Sequence, residues 1–348
     1  MPLLCKDDPQ ALEQAARLLA DGALLAFPTE TVYGLGARAD DDAAVAKIFA
    51  AKGRPADHPL IVHVTDAAAA QPFAAHWPPA AQVLAQHFWP GPMTLIVPRR
   101  PGVAMAAAGG HPSIGLRCPD HPLAQALLAR AQALGVLGVA GPSANRFGRV
   151  SPTTAAHVMD EFGPELAVLD GGACREGIES TIVDCTRPEP ALLRPGTTPR
   201  AEIEAVLQQA LGVRLGGRDE TSPRVSGSLA SHYAPEALVS LVPAEDLRQR
   251  LSQLPPSPVE ADAPAQQRGG VGVYSRTALP LGLPPGLSLG RGVIHRTMPT
   301  EPAQAAYELF AVLRALDAQG VSQIWVEAPP GGPEWDGVRD RLMRAATR

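Results

Sequence analysis

Two cations stand one residue apart in Lys52-Gly53-Arg54-Pro55, with His58-Pro59 and His63 close behind. Gly and Pro fix this pair where a helix face would leave it free, and an ammonium beside a guanidinium suits a phosphate chain. A lysine at a helix C-terminus is also stabilised by the helix dipole, by ~0.3–1 kcal/mol, with no ligand at all. His63 lies inside an apolar run, where a lone histidine is more often a satisfied core residue. The densest polar stretch is Pro28-Thr29-Glu30-Thr31-Val32-Tyr33-Gly34-Leu35-Gly36. Loops past strand ends are where α/β folds place ligands, and glycines let backbone amides approach them. The alternative is a tight turn whose Thr and Glu satisfy local backbone groups. Gly141-Pro142-Ser143-Ala144-Asn145 offers a hydroxyl and an amide to a phosphate or ribose, or an ordinary turn with a helix cap. Arg117, beside Cys118-Pro119, suits a carboxylate or a surface ion pair. Gly177-Ile178-Glu179-Ser180-Thr181 and Leu193-Arg194-Pro195-Gly196 are weaker signals of the same kind. The chain has no Walker A segment, dinucleotide fingerprint, H-E-x-x-H or Ser-His-Asp signature. Lys, Arg, Ser, Asn and Thr without an evident nucleophile fit phosphoryl-type chemistry driven by positioning and charge neutralisation.

The elements that must position these residues follow from periodicity and punctuation. Helical spacing predicts helices over 9–21, 41–52, 66–75, 79–88, 121–134, 153–162 and 199–211, with Asp41 or Asp42 capping the second and Gly53 stopping it. Apolar runs predict strands at 23–27, 60–64, 93–98, 113–117, 136–140, 166–170, 178–185 and 190–194. The irregular interleaving calls for a mixed α/β sheet. From 212 to 236 the composition turns to Gly, Arg, Ser and Pro without periodicity, as in a linker. Beyond it, strands at 238–242, 271–274 and 324–327 and helices at 244–253, 301–319 and 335–346 describe a smaller α/β unit, interrupted by a Pro-rich loop around 254–268.

A chain of 348 residues is about twice the usual single-domain size, so two domains are expected. No apolar run reaches the ~20 residues of a membrane span, and Met1-Pro2-Leu3-Leu4-Cys5-Lys6 lacks a signal-peptide layout; the expectation is a cytoplasmic protein with no membrane partner. Cys5, Cys118, Cys174 and Cys185 show no C-x-x-C spacing, which argues against a zinc site or a disulfide framework. A net charge of −5 means that any RNA contact needs a local basic patch.

Taken together, PTETVYGLG, KGRP, GPSAN, ESTIVD, LRPG and His232-Tyr233-Ala234-Pro235 resemble the threonylcarbamoyl-AMP synthase family, in the long form that adds a C-terminal domain to a YrdC-like fold. The resemblance runs over roughly residues 10–205 and on into the His-Tyr segment. It implies an α/β fold: a YrdC-like twisted mixed sheet with helices over 1–211, a linker or lid over 212–236, and a Rossmann-like α/β domain over 237–348. The implied reaction joins L-threonine, bicarbonate or CO2 and ATP into threonylcarbamoyl-AMP and pyrophosphate. Mg2+ is expected on the ATP phosphates, with no dedicated metal ligands in the protein. The implied partners are the enzymes that transfer the threonylcarbamoyl group to the adenosine beside a tRNA anticodon, with at most weak direct tRNA contact.

By that resemblance the catalytic cluster is Lys52, Arg54, Ser143 and Asn145. ATP falls to Arg54, His58, Ser113, Ser143, Ser151, Arg194 and Tyr233, and L-threonine to Thr31, His63, Arg117, Gly141 and Ser180. Two departures from the family pattern stand out: Ser226-Gly227-Ser228-Leu229 where the linker commonly reads Ser-Pro-Gly-Met, and Phe147 where a small polar residue is common. The rival readings are an RNA-binding or ribosome-maturation protein of the same fold and a carbamoyl-phosphate-using adenylate former. The acidic balance opposes the first, and the cysteine spacing opposes the zinc fingers usual in the second.

Overall fold

The computed structural model describes residues 3–5, 8, 10–227, 232–253, 269–277, 288–289 and 292–347. The chain divides into two compact units, one of residues 1–147 and 151–228, the other of residues 148–150 and 229–348. The break after residue 228 falls inside the stretch read as a linker, while residues 148–150, read as part of the first domain, group with the second unit.

In chain order the first unit holds β1 (Leu3–Cys5), α1 (Ala11–Ala20), β2 (Leu25–Phe27), β3 (Gly34–Arg38), α2 (Asp42–Lys52), β4 (Ile61–His63), α3 (Ala67–Ala70), α4 (Pro79–Phe88), β5 (Met93–Pro98), β6 (Ser113–Arg117), α5 (Pro122–Ala133), β7 (Val139–Ala140), α6 (Ala155–Phe162), β8 (Ala167–Asp170), β9 (Thr181–Asp184), β10 (Ala191–Arg194), α7 (Arg200–Leu211) and β11 (Gly216–Gly217). The strands form an 11-stranded sheet among the described residues, ordered β1-β8-β2-β3-β7-β4-β6-β5-β9-β10-β11. Parallel and antiparallel neighbours alternate irregularly, as in β4 with β6 (parallel) and β5 with β6 (antiparallel). One core gathers Ile48, Val62, Leu84, Leu95, Leu116 and Leu207, and a second gathers Leu19, Leu25, Phe27, Leu127 and Leu169.

Helix α2 shows how sequence sets the site. The Asp41 carboxylate accepts from the amides of Ala43 and Ala44, which closes the N-terminus. Gly53 turns left-handed at φ 64° and its amide returns to the Ala50 carbonyl, which ends the helix with Lys52 as its last residue.

Four segments differ from the periodic reading. Gly34–Arg38 is a strand, because its glycines serve packing: a Cβ on Gly34 or Gly36 would come within 3.0 Å of the Phe27 ring. The strand expected over 136–140 keeps only Val139–Ala140, because Gly138 is pressed against Phe73 and Val62, each 2.9 Å from where a Cβ would stand. The helical stretch at 66–75 splits into α3 and a 3-10 turn at Gln71–Phe73 that contains Pro72. Gly216–Gly217 pairs with β10 at the edge of the large sheet. The strands β1 and β11 are too short to carry a pattern.

The second unit contains β12 (Leu238–Val242), α8 (Ala244–Ser252), β13 (Val271–Ser275), β14 (Ser288–Leu289), β15 (Val293–Thr297), α9 (Pro302–Ala318), β16 (Gln323–Glu327) and α10 (Asp336–Ala346). Its sheet runs β12-β16-β13-β15-β14 among the described residues, parallel except at β14, an α/β arrangement of the Rossmann type. The Pro-rich loop expected around 254–268 lies outside the described residues, as does the 228–231 part of the linker. No helix among the described residues is long and apolar enough to cross a membrane.

Replacing the α2 cap, Asp41→Ala, should cost about 1 kcal/mol of stability, read as a lower urea midpoint of the full-length chain; an unchanged midpoint would show that the cap does not hold this helix.

Candidate functional site

The phosphate-type residues converge on one loop. Lys52 is 3% exposed, and its Nζ donates to the Ser143 carbonyl at 2.5 Å and to the Asn145 carbonyl. Burial first, and the neighbouring Arg54 second, push its pKa well below the usual lysine range. The same loop is laced to β3 and its approach: Leu35 N donates to Pro142 O, and Ala144 N to Tyr33 O. Phe147 N donates to the Lys52 carbonyl, so the end of α2 and the loop grip each other in both directions. Arg54 donates through Nη2 to Pro59 O at 3.0 Å and lies over the Phe147 ring, which in turn packs on His58. Phe147, a departure from the family pattern, thus joins the cluster through Arg54 and His58. Burial, then Arg54, lowers the His58 pKa. Ser151 donates to the buried Glu179 carboxylate at 2.5 Å.

A second cluster forms where β4 and β6 run side by side. His63 and Arg117 are register partners, and Arg117 is held on three sides. Its Nε donates to Gly91 O at 3.3 Å, its Nη1 donates to Thr31 Oγ1 at 2.8 Å, and its Nη2 pairs with the fully buried Glu30 at 2.7 Å. The threonine-rich stretch forms the tight turn that is one of its two readings. Thr29 Oγ1 accepts from the amides of Thr31 and Val32 and donates to Val32 O, a tight turn, and that turn delivers Thr31 and Glu30 to Arg117. Burial, then Arg117, pushes the His63 pKa down to about 3, so the ring is neutral. Gly141 lies against it: a Cβ there would sit 3.1 Å from His63 Nδ1 and 3.1 Å from Phe27 Cζ.

Ser180 and Arg194, assigned to different ligands by the resemblance, meet directly. Arg194 Nε donates to Ser180 O at 3.0 Å, and Nη2 to Ser180 Oγ at 3.1 Å. Its Nη1 donates to Ser226 O at 2.9 Å. Ser113 opens β6 and lines a small crevice with Ile61, Ile96, Ile182, Val225 and Ser226. Tyr233 belongs to the second unit, where it is buried against Phe310 and Arg341 with a left-handed φ of 62°, a conformation that its surroundings must hold. Glu30, Gly91, Thr94 and Glu179 were not singled out from the sequence as site residues. Glu30 and Glu179 sit inside the quoted motifs, while Thr94 and Gly91 carry no signal of their own. Among the described residues no group of His, Cys, Asp and Glu suited to a resident metal is present.

The chain is similar to known proteins over nearly its whole length. The Sua5–YciO–YrdC family model, described as telomere recombination, matches residues 17–196, and the model of the threonylcarbamoyl-AMP synthase C-terminal domain matches residues 198–347. A threonylcarbamoyl-AMP synthase of Bacillus subtilis is 37% identical over 99% of this chain and 94% of its own length. One from Pyrococcus abyssi is 42% identical over 69% of this chain and 71% of its own. The crystal structure of Pyrococcus abyssi Sua5 complexed with L-threonine superposes with a TM-score of 0.84 at 33% identity, covering 99% of this chain and 98% of that one.

His63 gives a pH signature. Its pKa is about 3 folded against about 6.5 unfolded, so between these values the unfolded chain binds the extra proton and stability falls as pH falls. That single group contributes a slope of about 1.4 kcal/mol per pH unit. His63→Gln should make the stability profile shallower by that amount between pH 6.5 and 4; an unchanged slope would mean that His63 protonates freely in the fold.

Proposed function

The chain belongs to the threonylcarbamoyl-AMP synthase family, and on that footing we propose how its residues divide the work of condensing L-threonine, bicarbonate or CO2 and ATP into threonylcarbamoyl-AMP and pyrophosphate. Threonine's amine captures CO2 as a carbamate. A carbamate oxygen then attacks the α-phosphorus of ATP, and pyrophosphate leaves from the opposite side. The full balance, with bicarbonate, releases one water. The observation that carries this reading is the convergence of Lys52, Arg54, Ser143 and Asn145, drawn from two separated stretches, on one loop.

We assign the triphosphate to Lys52 and Arg54. Two of the three N–H bonds of the Lys52 ammonium are engaged by carbonyls, and the third serves a phosphate oxygen. Burial lowers its proton affinity, and an arriving polyphosphate raises it again. Ser143, Asn145 and Ser151 take phosphate or ribose oxygens, and His58, Ser113 and Arg194 complete the nucleotide set by the family likeness. Mg2+, expected with the ATP phosphates, would neutralise part of their charge. The donor set here, mostly cationic and neutral with Glu179 as its carboxylate, suits a metal that keeps most of its waters. Threonine goes to the other cluster: its carboxylate to Arg117, with Thr31, His63, Gly141 and Ser180 around it. The neutral His63 adds no charge beside Arg117, whose guanidinium already pairs with Glu30.

The relatives' shared activity displaces the RNA-binding alternative. Downstream, the adenylate is a labile mixed anhydride, so we place the chain in the cytoplasm beside enzymes that transfer its threonylcarbamoyl group to tRNA.

Pyrophosphate release from ATP and bicarbonate should depend on L-threonine, and Lys52→Ala or Arg54→Ala should lower its rate by roughly 10²–10³-fold. Release without threonine, or variants that keep wild-type rates, would contradict the assignment.

A further inference from the structure

Thr94 lies on β5 with no solvent exposure, a lone hydroxyl in an otherwise apolar buried strand. It meets Ser180 Oγ at 2.7 Å and has no other side-chain hydrogen-bond partner among the described residues. Ser180 Oγ also accepts from Arg194 Nη2 at 3.1 Å, while Arg194 Nε fixes the carbonyl of the same serine. The neighbouring backbone is equally constrained, because a Cβ on Gly196 would stand 2.4 Å from Thr181 N and 2.8 Å from Ser180 C.

A hydroxyl carries one hydrogen and two lone pairs. The hydrogen between Thr94 and Ser180 can belong to either. If Ser180 donates, the Thr94 hydrogen has no acceptor inside a dry strand. If Thr94 donates, both lone pairs of Ser180 are filled, one by Thr94 and one by Arg194, and the unspent hydrogen is that of Ser180. A buried donor without an acceptor is costly. An acceptor oxygen placed beside Ser180 removes that cost only in the second arrangement.

We propose that Thr94 is a positioning residue which, together with Arg194, makes Ser180 an obligate hydrogen-bond donor to an oxygen of L-threonine. The inference rests on the assignment of Ser180 to threonine. It gives Arg194 a second task beside the nucleotide and joins the two substrate ends through one serine. Thr94 itself touches no substrate; it acts through the hydrogen that it spends on Ser180.

The test is steady-state pyrophosphate release by the full-length chain, with wild type, Thr94→Val and Thr94→Ser compared. Val matches Thr in shape and lacks the hydroxyl; Ser keeps the hydroxyl and lacks the branch. Thr94→Val should raise the KM for L-threonine about 5- to 10-fold, with the KM for ATP and the kcat at saturating threonine held, and Thr94→Ser should stay near wild type. An unmoved threonine KM in Thr94→Val overturns the proposal. So does a parallel rise in the KM for ATP, or a Thr94→Ser variant as impaired as Thr94→Val, since either outcome assigns Thr94 to packing. A wild-type chain without threonine-dependent release would defeat the activity itself, whereas an active wild type beside an indifferent Thr94→Val defeats the role of Thr94 alone.

Discussion

The ammonium of Lys52, buried at the last residue of α2 and bonded to the carbonyls of Ser143 and Asn145, is the interaction on which the proposed phosphate end of the site depends. Taking an unpartnered ammonium out of water costs on the order of several kcal/mol, so the loop must present its carbonyls for the fold to tolerate the lysine. The loop in turn gains a fixed shape, with its amides tied to Tyr33, its Pro142 carbonyl tied to Leu35 and Phe147 tied back to Lys52. Helix length enters here as a chemical variable. The Asp41 cap and the left-handed Gly53 set where α2 starts and stops, and one residue inserted between them would rotate this ammonium about 100° away from the loop.

The proposed threonine end is built on the opposite logic, with a buried cation given a buried anion. Arg117 and Glu30 neutralise each other in a place where neither meets water, and Thr31 and the Gly91 carbonyl hold the remaining edges of the guanidinium. Parallel pairing of β4 with β6 brings His63 alongside. The cost of desolvation keeps that histidine neutral. On the proposed assignment, a zwitterionic amino acid meets a guanidinium–carboxylate pair whose own charges already sum to zero. Ser180 is bonded to Arg194 on one side and Thr94 on the other.

Much of this was legible in the sequence where local rules decide the outcome. Asp41, Gly53 and the periodicity between them define α2, and the motif likeness brought Lys52, Arg54, Ser143 and Asn145 into one reading before any geometry did. The misreadings share a cause. Gly34 and Gly36 look like loop residues, but they are strand residues made small by the Phe27 ring, a partner that lies across the sheet from them. Gly138 yields to Phe73 and Val62 in the same way. Thr94 was invisible because threonine is an ordinary strand former, and only the meeting of β5 with β9 sets its hydroxyl against Ser180. Phe147 read as a departure, and the reason it fits is a ring contact with His58, which spacing cannot reveal.

The most direct test is the bond connectivity of the product. With 13C-bicarbonate, 15N-threonine and ATP, the account predicts one new carbonyl carbon in the NMR spectrum, coupled both to 15N and to 31P, because the captured carbon lies between threonine's nitrogen and the α-phosphate. A phosphorus bound to threonine's own carboxylate, with the labelled carbon left as bicarbonate, would mean that the chain forms an ordinary aminoacyl adenylate and would contradict the account at its centre.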